Sequence, residues 1–127
     1  MVSEKSAYLG GKGEQAAASL LKENGYKILF TNYKTRLGEI DIIAEDRGTI
    51  CFIEVKARSS DRFGSPSEAV SLSKQRKISE AALLFLKERK LLDKRARFDV
   101  VSVYCSQDGQ RLELIRDAFE LNDEFTF

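Results

Sequence analysis

Two hydrophobic periods alternate along this chain. Between Lys12 and Asn24, Ala16, Ala17, Leu20 and Leu21 recur at helical spacing, and Asn24-Gly25 supplies a stop, so the pattern predicts a helix. Tyr26 to Tyr33, Gly38 to Glu45 and Thr49 to Ala57 read as strands, the last two rich in β-branched residues and joined by a tight turn at Arg47-Gly48. Asp61 to Ser67, with Gly64 and Pro66, reads as a loop. Ser71 to Lys90 is the longest helical pattern, carrying Leu72, Ile78, Ala82, Phe85 and Leu86 as its stripe. Arg97 to Cys105 and Arg111 to Ala118 read as two further strands. The order α-β-β-β-α-β-β predicts an α/β fold: a mixed central sheet flanked by helices, in one domain over residues 1–127 without repeats or linkers.

Acids interrupt the most apolar part of this pattern. In Gly38-Glu39-Ile40-Asp41-Ile42-Ile43 and Ile50-Cys51-Phe52-Ile53-Glu54-Val55-Lys56, alternate residues of a strand share a face. That groups Glu39, Asp41 and Ile43, and likewise Phe52, Glu54 and Lys56. Apolar residues on both sides predict a central strand covered above and below, where charges are costly without partners. If Arg47-Gly48 is a two-residue hairpin loop, Asp46 pairs with Thr49, Asp41 stands opposite Glu54, and Glu39 opposite Lys56. Opposed acids destabilise a sheet. A divalent cation between them would resolve the conflict, and carboxylate oxygens suit Mg²⁺ or Mn²⁺. The alternative is a structural triad in which Lys56 neutralises both acids, although burying such a network rarely adds stability over apolar side chains.

Composition narrows the chemistry further. The 127 residues include no histidine, which excludes Ser-His and Cys-His nucleophile pairs, a histidine base and any imidazole-dependent zinc site. Cys51 and Cys105 lie in apolar, strand-like stretches without metal-ligand spacing, as buried thiols of a reducing, cytoplasmic compartment would. Met1 to Gly13 lacks the apolar segment of a signal peptide, and the longest apolar run, Ala81 to Leu86, is far short of the roughly 20 residues that span a bilayer. No membrane association is expected. The net charge of +1 conceals asymmetry. Residues Lys56 to Arg97 carry twelve basic and five acidic side chains, whereas Phe98 to Phe127 carry two basic and seven acidic. A basic segment holding Arg58, Arg62, Lys74, Arg76 and Lys77 suits contact with nucleic-acid phosphates, though helix-surface cations are often simply solvated.

Asp41 followed by Glu54-Val55-Lys56 on a neighbouring hydrophobic strand resembles the PD-(D/E)XK nuclease motif. With Gly13-Glu14, Gly38-Glu39-Ile40-Asp41-Ile42-Ile43-Ala44, Ile53-Glu54-Val55-Lys56 and Lys74-Gln75-Arg76-Lys77, nearly the whole chain resembles the YraN-like family of bacterial proteins. That family is grouped with the restriction endonuclease-like fold and is similar to Holliday junction resolvases. Ile40 stands where the motif's name has proline. The resemblance implies a metal-dependent endonuclease that hydrolyses phosphodiester bonds of nucleic acid, DNA ahead of RNA and branched or junction DNA included, by in-line attack of metal-bound water. It also implies a homodimer, because such nucleases cut two strands. A protein that keeps the fold and binds nucleic acid without turnover is the alternative.

Asp41 and Glu54 would hold the metal, and Lys56 would polarise water or offset developing charge. Glu14 shares a helical face with Ala17, Ala18 and Leu21, and the resemblance gives it a part in the metal site; the other reading is an acid complementing the helix dipole. Gln75 shares a face with Leu72, Ile78 and Ala82, and the resemblance places it near the site, against a plain packing role. Asp99 reads as a hydrogen-bond acceptor at a strand edge.

Overall fold

The computed structural model describes residues 4–58 and 70–120, with side chains from Gly13 onward except at 58, 105 and 106. The expected loop at Asp61 to Ser67, including Arg62, lies outside the described residues, as do the side chains of Arg58 and Cys105. The elements are α1 (Glu4–Glu23), β1 (Lys27–Thr35), β2 (Gly38–Asp46), β3 (Thr49–Arg58), α2 (Leu72–Glu88), β4 (Ala96–Ser106) and β5 (Gly109–Phe119). The order is the expected one. Strands lie β1-β2-β3-β4-β5 in one sheet, with β3 and β4 parallel and the other neighbours antiparallel. β3 is therefore the middle strand, as its two apolar faces require.

Element ends follow from local chemistry. Helix α1 starts eight residues before the expected Lys12 and stops at Asn24-Gly25. Gly25 takes φ +86, its N–H donates to Lys22 O at 3.1 Å, and Tyr26 N–H donates to Leu21 O at 3.0 Å, a glycine-terminated helix end. Arg47 and Gly48 both have positive φ (52 and 88), the geometry that matches a two-residue hairpin to strand twist. Ser71 caps α2: its Oγ accepts the Lys74 N–H at 3.1 Å.

The helices cover opposite faces. On one, α2 supplies Ile78, Ala82, Phe85 and Leu86 against Ile43, Phe52, Phe98 and Val100. The Phe85 ring sits 5.3 to 5.8 Å from the rings of Phe30, Tyr33 and Phe52. On the other, Ala17 and Leu21 of α1 pack on Ile42, Cys51, Ile53 and Val101. Cys51 is a buried free thiol pushed up to about 12, first by burial. Two expectations change. Leu72, assigned to the apolar stripe, is 82% exposed because it occupies the first helical position beyond the cap. Asp99 is no edge acceptor: it is fully buried on β4, an interior strand. Among the described residues, no helix is long and apolar enough to cross a membrane.

Candidate active site

The β2–β3 ladder has the register expected from the two-residue turn, from Asp46↔Thr49 to Ile42↔Ile53. There it ends. The expected cross-strand pair of Asp41 with Glu54 is not formed, nor that of Glu39 with Lys56; Glu39 is exposed and pairs with Lys34 of β1. The cause is the Asp41 side chain, whose Oδ2 accepts the Val55 N–H at 2.9 Å. A carboxylate takes the place of a strand carbonyl, so two acids do not stand face to face in a regular ladder.

The expected faces shift at the same point. Ile40 and Ile43, three residues apart, both pack on the α2 side, whereas Ile42 and Ala44 pack on the α1 side. Simple alternation therefore slips at Asp41. Strand β1 slips beside it: Phe30 and Tyr33 both join the α2 cluster, with Asn32 between them at φ 51. Asparagine tolerates this left-handed backbone better than most residues. Its side chain hydrogen-bonds the Glu14 carboxyl, which faces the charges of Asp41 and Glu39. Glu14 thus projects from α1 toward the point where β2 and β3 cease pairing.

Glu54 is 6% exposed, and its Oε2 has no hydrogen-bond partner among the described residues. Its carboxyl interacts with that of Asp41 and is pushed up to about 8, first by burial and then by the Asp41 charge, with Lys74 and Lys56 acting in the opposite direction. Burial also raises Asp41, against the hydrogen bond from Val55. Glu14 is raised, first by burial. Lys74 Nζ lies 3.7 Å from Glu54 Oε1. Burial and the neighbouring acid therefore outweigh the two lysines found beside Glu54 among the described residues.

Of the other candidates, Lys56 is half-buried and follows Glu54 by two residues along β3, in register with Ser102 of β4. Ser102 is buried, and its Oγ has no partner among the described residues. Gln75 donates from Nε2 to Val70 O at 2.9 Å, so its amide secures the entry to α2. Arg76 and Lys77 are exposed on the first turns of α2. The Lys77 carbonyl lies 3.0 Å from where a Cβ on Gly38 would stand, so only glycine lets the start of β2 come this close to α2. Among the described residues, no group of three or more acids or thiols is gathered closely enough to hold a metal ion.

Sequence reasoning missed Asn32, whose polar side chain within an apolar strand was the available signal. It also missed a second polar cluster, at the hairpin end of the sheet. Asp99 accepts from Tyr26 Oη at 2.7 Å, from Arg97 Nε at 3.0 Å and from the Asp117 N–H at 2.9 Å. Arg97 Nη2 also donates to Tyr26 Oη at 2.9 Å and to Asp46 Oδ2 at 2.6 Å. Arg97 and Asp99, two apart on one strand, share a face, and that spacing could have revealed the pair.

With this geometry in view, comparison with known proteins gives the relationship. The model of the uncharacterised protein family UPF0102 matches residues 13–103. The chain belongs to that family. This is the YraN-like grouping expected from the motifs. A UPF0102 protein of Syntrophus aciditrophicus is 54% identical over 112 residues, covering 88% of each chain. One from Desulfosudis oleivorans is 48% identical over 122 residues, covering 96% of this chain and 97% of the relative. Among solved structures, the chain is similar to EndoMS in a complex with dsDNA, with TM-score 0.41 and 22% identity over 68% of this chain and 34% of that one. It is also similar to Pyrococcus furiosus SfsA in complex with Ca²⁺, with TM-score 0.39 and 12% identity over 87% and 62%. Both overlaps span less than two thirds of the solved chain.

Proposed function

We propose that this UPF0102 protein is a divalent-cation-dependent endonuclease that hydrolyses phosphodiester bonds of DNA, branched or junction DNA included. The observation that carries this reading is the Asp41–Glu54 pair: two interacting carboxyls, both raised by burial, with one buried Glu54 oxygen lacking a partner among the described residues. Hard oxygen donors with excess negative charge suit Mg²⁺ or Mn²⁺, which bind through one or two carboxylates together with water and substrate phosphate. Asp41 and Glu54 would hold the cation, and Glu14, which faces Asp41 from α1, would extend the set. When bound, it would supply charge neutralisation at the scissile phosphate and acidify water.

The chain's own residues do the rest. The Val55 N–H fixes the Asp41 carboxyl. Lys56 orients the attacking water or offsets charge on the phosphoryl oxygens. Lys74 approaches Glu54 to 3.7 Å and, with Arg76 and Lys77, presents cations to the strand. A symmetric homodimer would let so small a chain address both strands of its substrate.

A cleavage panel of linear, nicked, flapped and four-way DNA with Mg²⁺ and Mn²⁺ tests this reading. Cleavage is expected with either metal and is expected to vanish in folded Glu54→Ala and Lys56→Ala proteins; intact DNA throughout would overturn it. The want of a three-acid cluster among the described residues favours a second reading, nucleic-acid binding without turnover. Salt-sensitive binding that is unchanged by Asp41→Asn, with no cleavage, would establish that alternative.

A further inference from the structure

A cleft at the hairpin end of the sheet carries a second concentration of charge, apart from the carboxylate site. It encloses about 530 Å³ and is lined by Asn24, Asp46, Arg47, Thr49, Arg95, Arg97 and Arg116. Four arginines thus border the cleft, and the guanidinium groups of Arg97 and Arg116 reach its lining carboxylate. Asp46 takes Arg97 at 2.6 Å and lies 3.7 Å from Arg116, and the Arg97 hydrogen bond holds its carboxyl below the usual range. Arg97 is shared with buried Asp99, so two carboxylates face the four arginines and an excess of two positive charges remains among the described residues.

The cluster is also organised. Arg97 is held by Asp99, Tyr26 and Asp46. Arg116 lies over the Tyr26 ring, 5.3 Å from its centroid. Arg47 is set at the hairpin tip by its left-handed backbone, φ 52. The guanidinium groups of Arg97 and Arg116, held in this way, match the oxygens of a tetrahedral dianion or diester, and fixing them beforehand lowers the entropy lost on binding.

We infer that this cleft binds a phosphate group, carried by a nucleic-acid strand or free. Asp46 lies five residues along β2 from Asp41, roughly 17 Å at ordinary strand rise, so a phosphate here is not the one at the carboxylate pair. The inference does not depend on catalysis at Asp41 and Glu54.

The test uses the full chain and the double variant Arg47→Ala/Arg95→Ala, both exposed side chains outside the hydrogen-bond network around Asp99. Inorganic phosphate is titrated while the amide resonances of Arg47, Gly48 and Arg97 are followed. Binding of a short DNA duplex is measured in Ca²⁺, without Mg²⁺ or Mn²⁺, at several salt concentrations. The native chain is expected to show saturable shifts at those amides. The double variant is expected to lose them, to bind duplex about tenfold more weakly, and to show a salt slope smaller by about one to two. Loss of the phosphate response with unchanged duplex affinity assigns the cleft to a free phosphate compound. Weakened duplex binding with no response to phosphate in either protein assigns it to the strand. If the double variant matches the native chain in both arms, the inference is overturned. Glu54→Ala is expected to behave as native in the phosphate arm, so failure of the nuclease reading stays distinguishable from failure of this one.

Discussion

Asp41 and Asp99 do the same backbone work and live in opposite electrostatic surroundings. Each accepts a neighbouring strand's N–H at 2.9 Å where regular pairing is interrupted, Asp41 from Val55 and Asp99 from Asp117. Asp99 then receives Tyr26 and Arg97, so its buried charge is matched. Asp41 instead meets another acid, Glu54, and burial raises both. Burial alone does not distinguish these two acids. The distinction lies in whether the fold supplies the compensating charge or leaves it to come from outside.

The largest effect should come from removing that compensation at Asp99. Arg97→Met leaves a fully buried aspartate without its cation and is expected to cost about 3–5 kcal/mol in denaturant unfolding. A loss below about 1 kcal/mol would erase the contrast. At the other acid the sign reverses. Glu54→Gln removes charge from a buried carboxyl beside another acid, and metal-free protein at pH 8 should gain about 1–2 kcal/mol, seen as a melting temperature higher by about 3–8 °C. Destabilisation there would mean that Lys74 already compensates Glu54.

The pH profile separates the two acids in another way. The folded Glu54 carboxyl titrates near about 8, above the roughly 4.3 of an exposed glutamate, so folding favours its protonated form. Metal-free stability should therefore fall as pH rises from about 4 to about 8, and Glu54→Gln should flatten this arm. Asp46, lowered by Arg97, gives the opposite arm: its contribution is present above the ordinary aspartate value of about 3.9 and is lost as pH falls through its folded value. Melting curves across pH 2–9, with Mn²⁺ restoring stability only at the alkaline end, would show both. The smallest effect belongs to the helix that brings Lys74 to Glu54. Ser71→Ala should cost about 1 kcal/mol through the lost cap and should steepen the alkaline arm as the first turn of α2 frays.

The fold was legible because periodicity and turn chemistry agree along this chain. Asn24-Gly25 and Arg47-Gly48 encode a helix stop and a hairpin locally, and the β2–β3 register follows from the second of them. Asp41, Glu54 and Lys56 stood out as charges in apolar strands. What the pattern could not convey was the place where alternation stops. A period of two carries no mark for a side chain that replaces a backbone acceptor, so Asp41 seemed to oppose Glu54 when it pairs with the Val55 N–H instead. Asn32 and Glu14 meet across α1 and β1, and Arg97 and Tyr26 meet across the sheet. Such meetings depend on tertiary packing, which single-strand reasoning does not reach.

The parallel pairing of β3 with β4 has a consequence for how the molecule assembles. Strands β1 to β3 form a meander closed by short turns, whereas β4 reaches β3 only after a long intervening stretch of chain that includes α2. Closing that long loop costs chain entropy before any contact returns it, so the meander should order early and the crossover late. Asp41, Glu54 and Lys56 all belong to the early part, and Lys74 arrives with the late one. A nascent chain would therefore carry its acidic pair, still without the α2 lysine, before the basic surface closes over it.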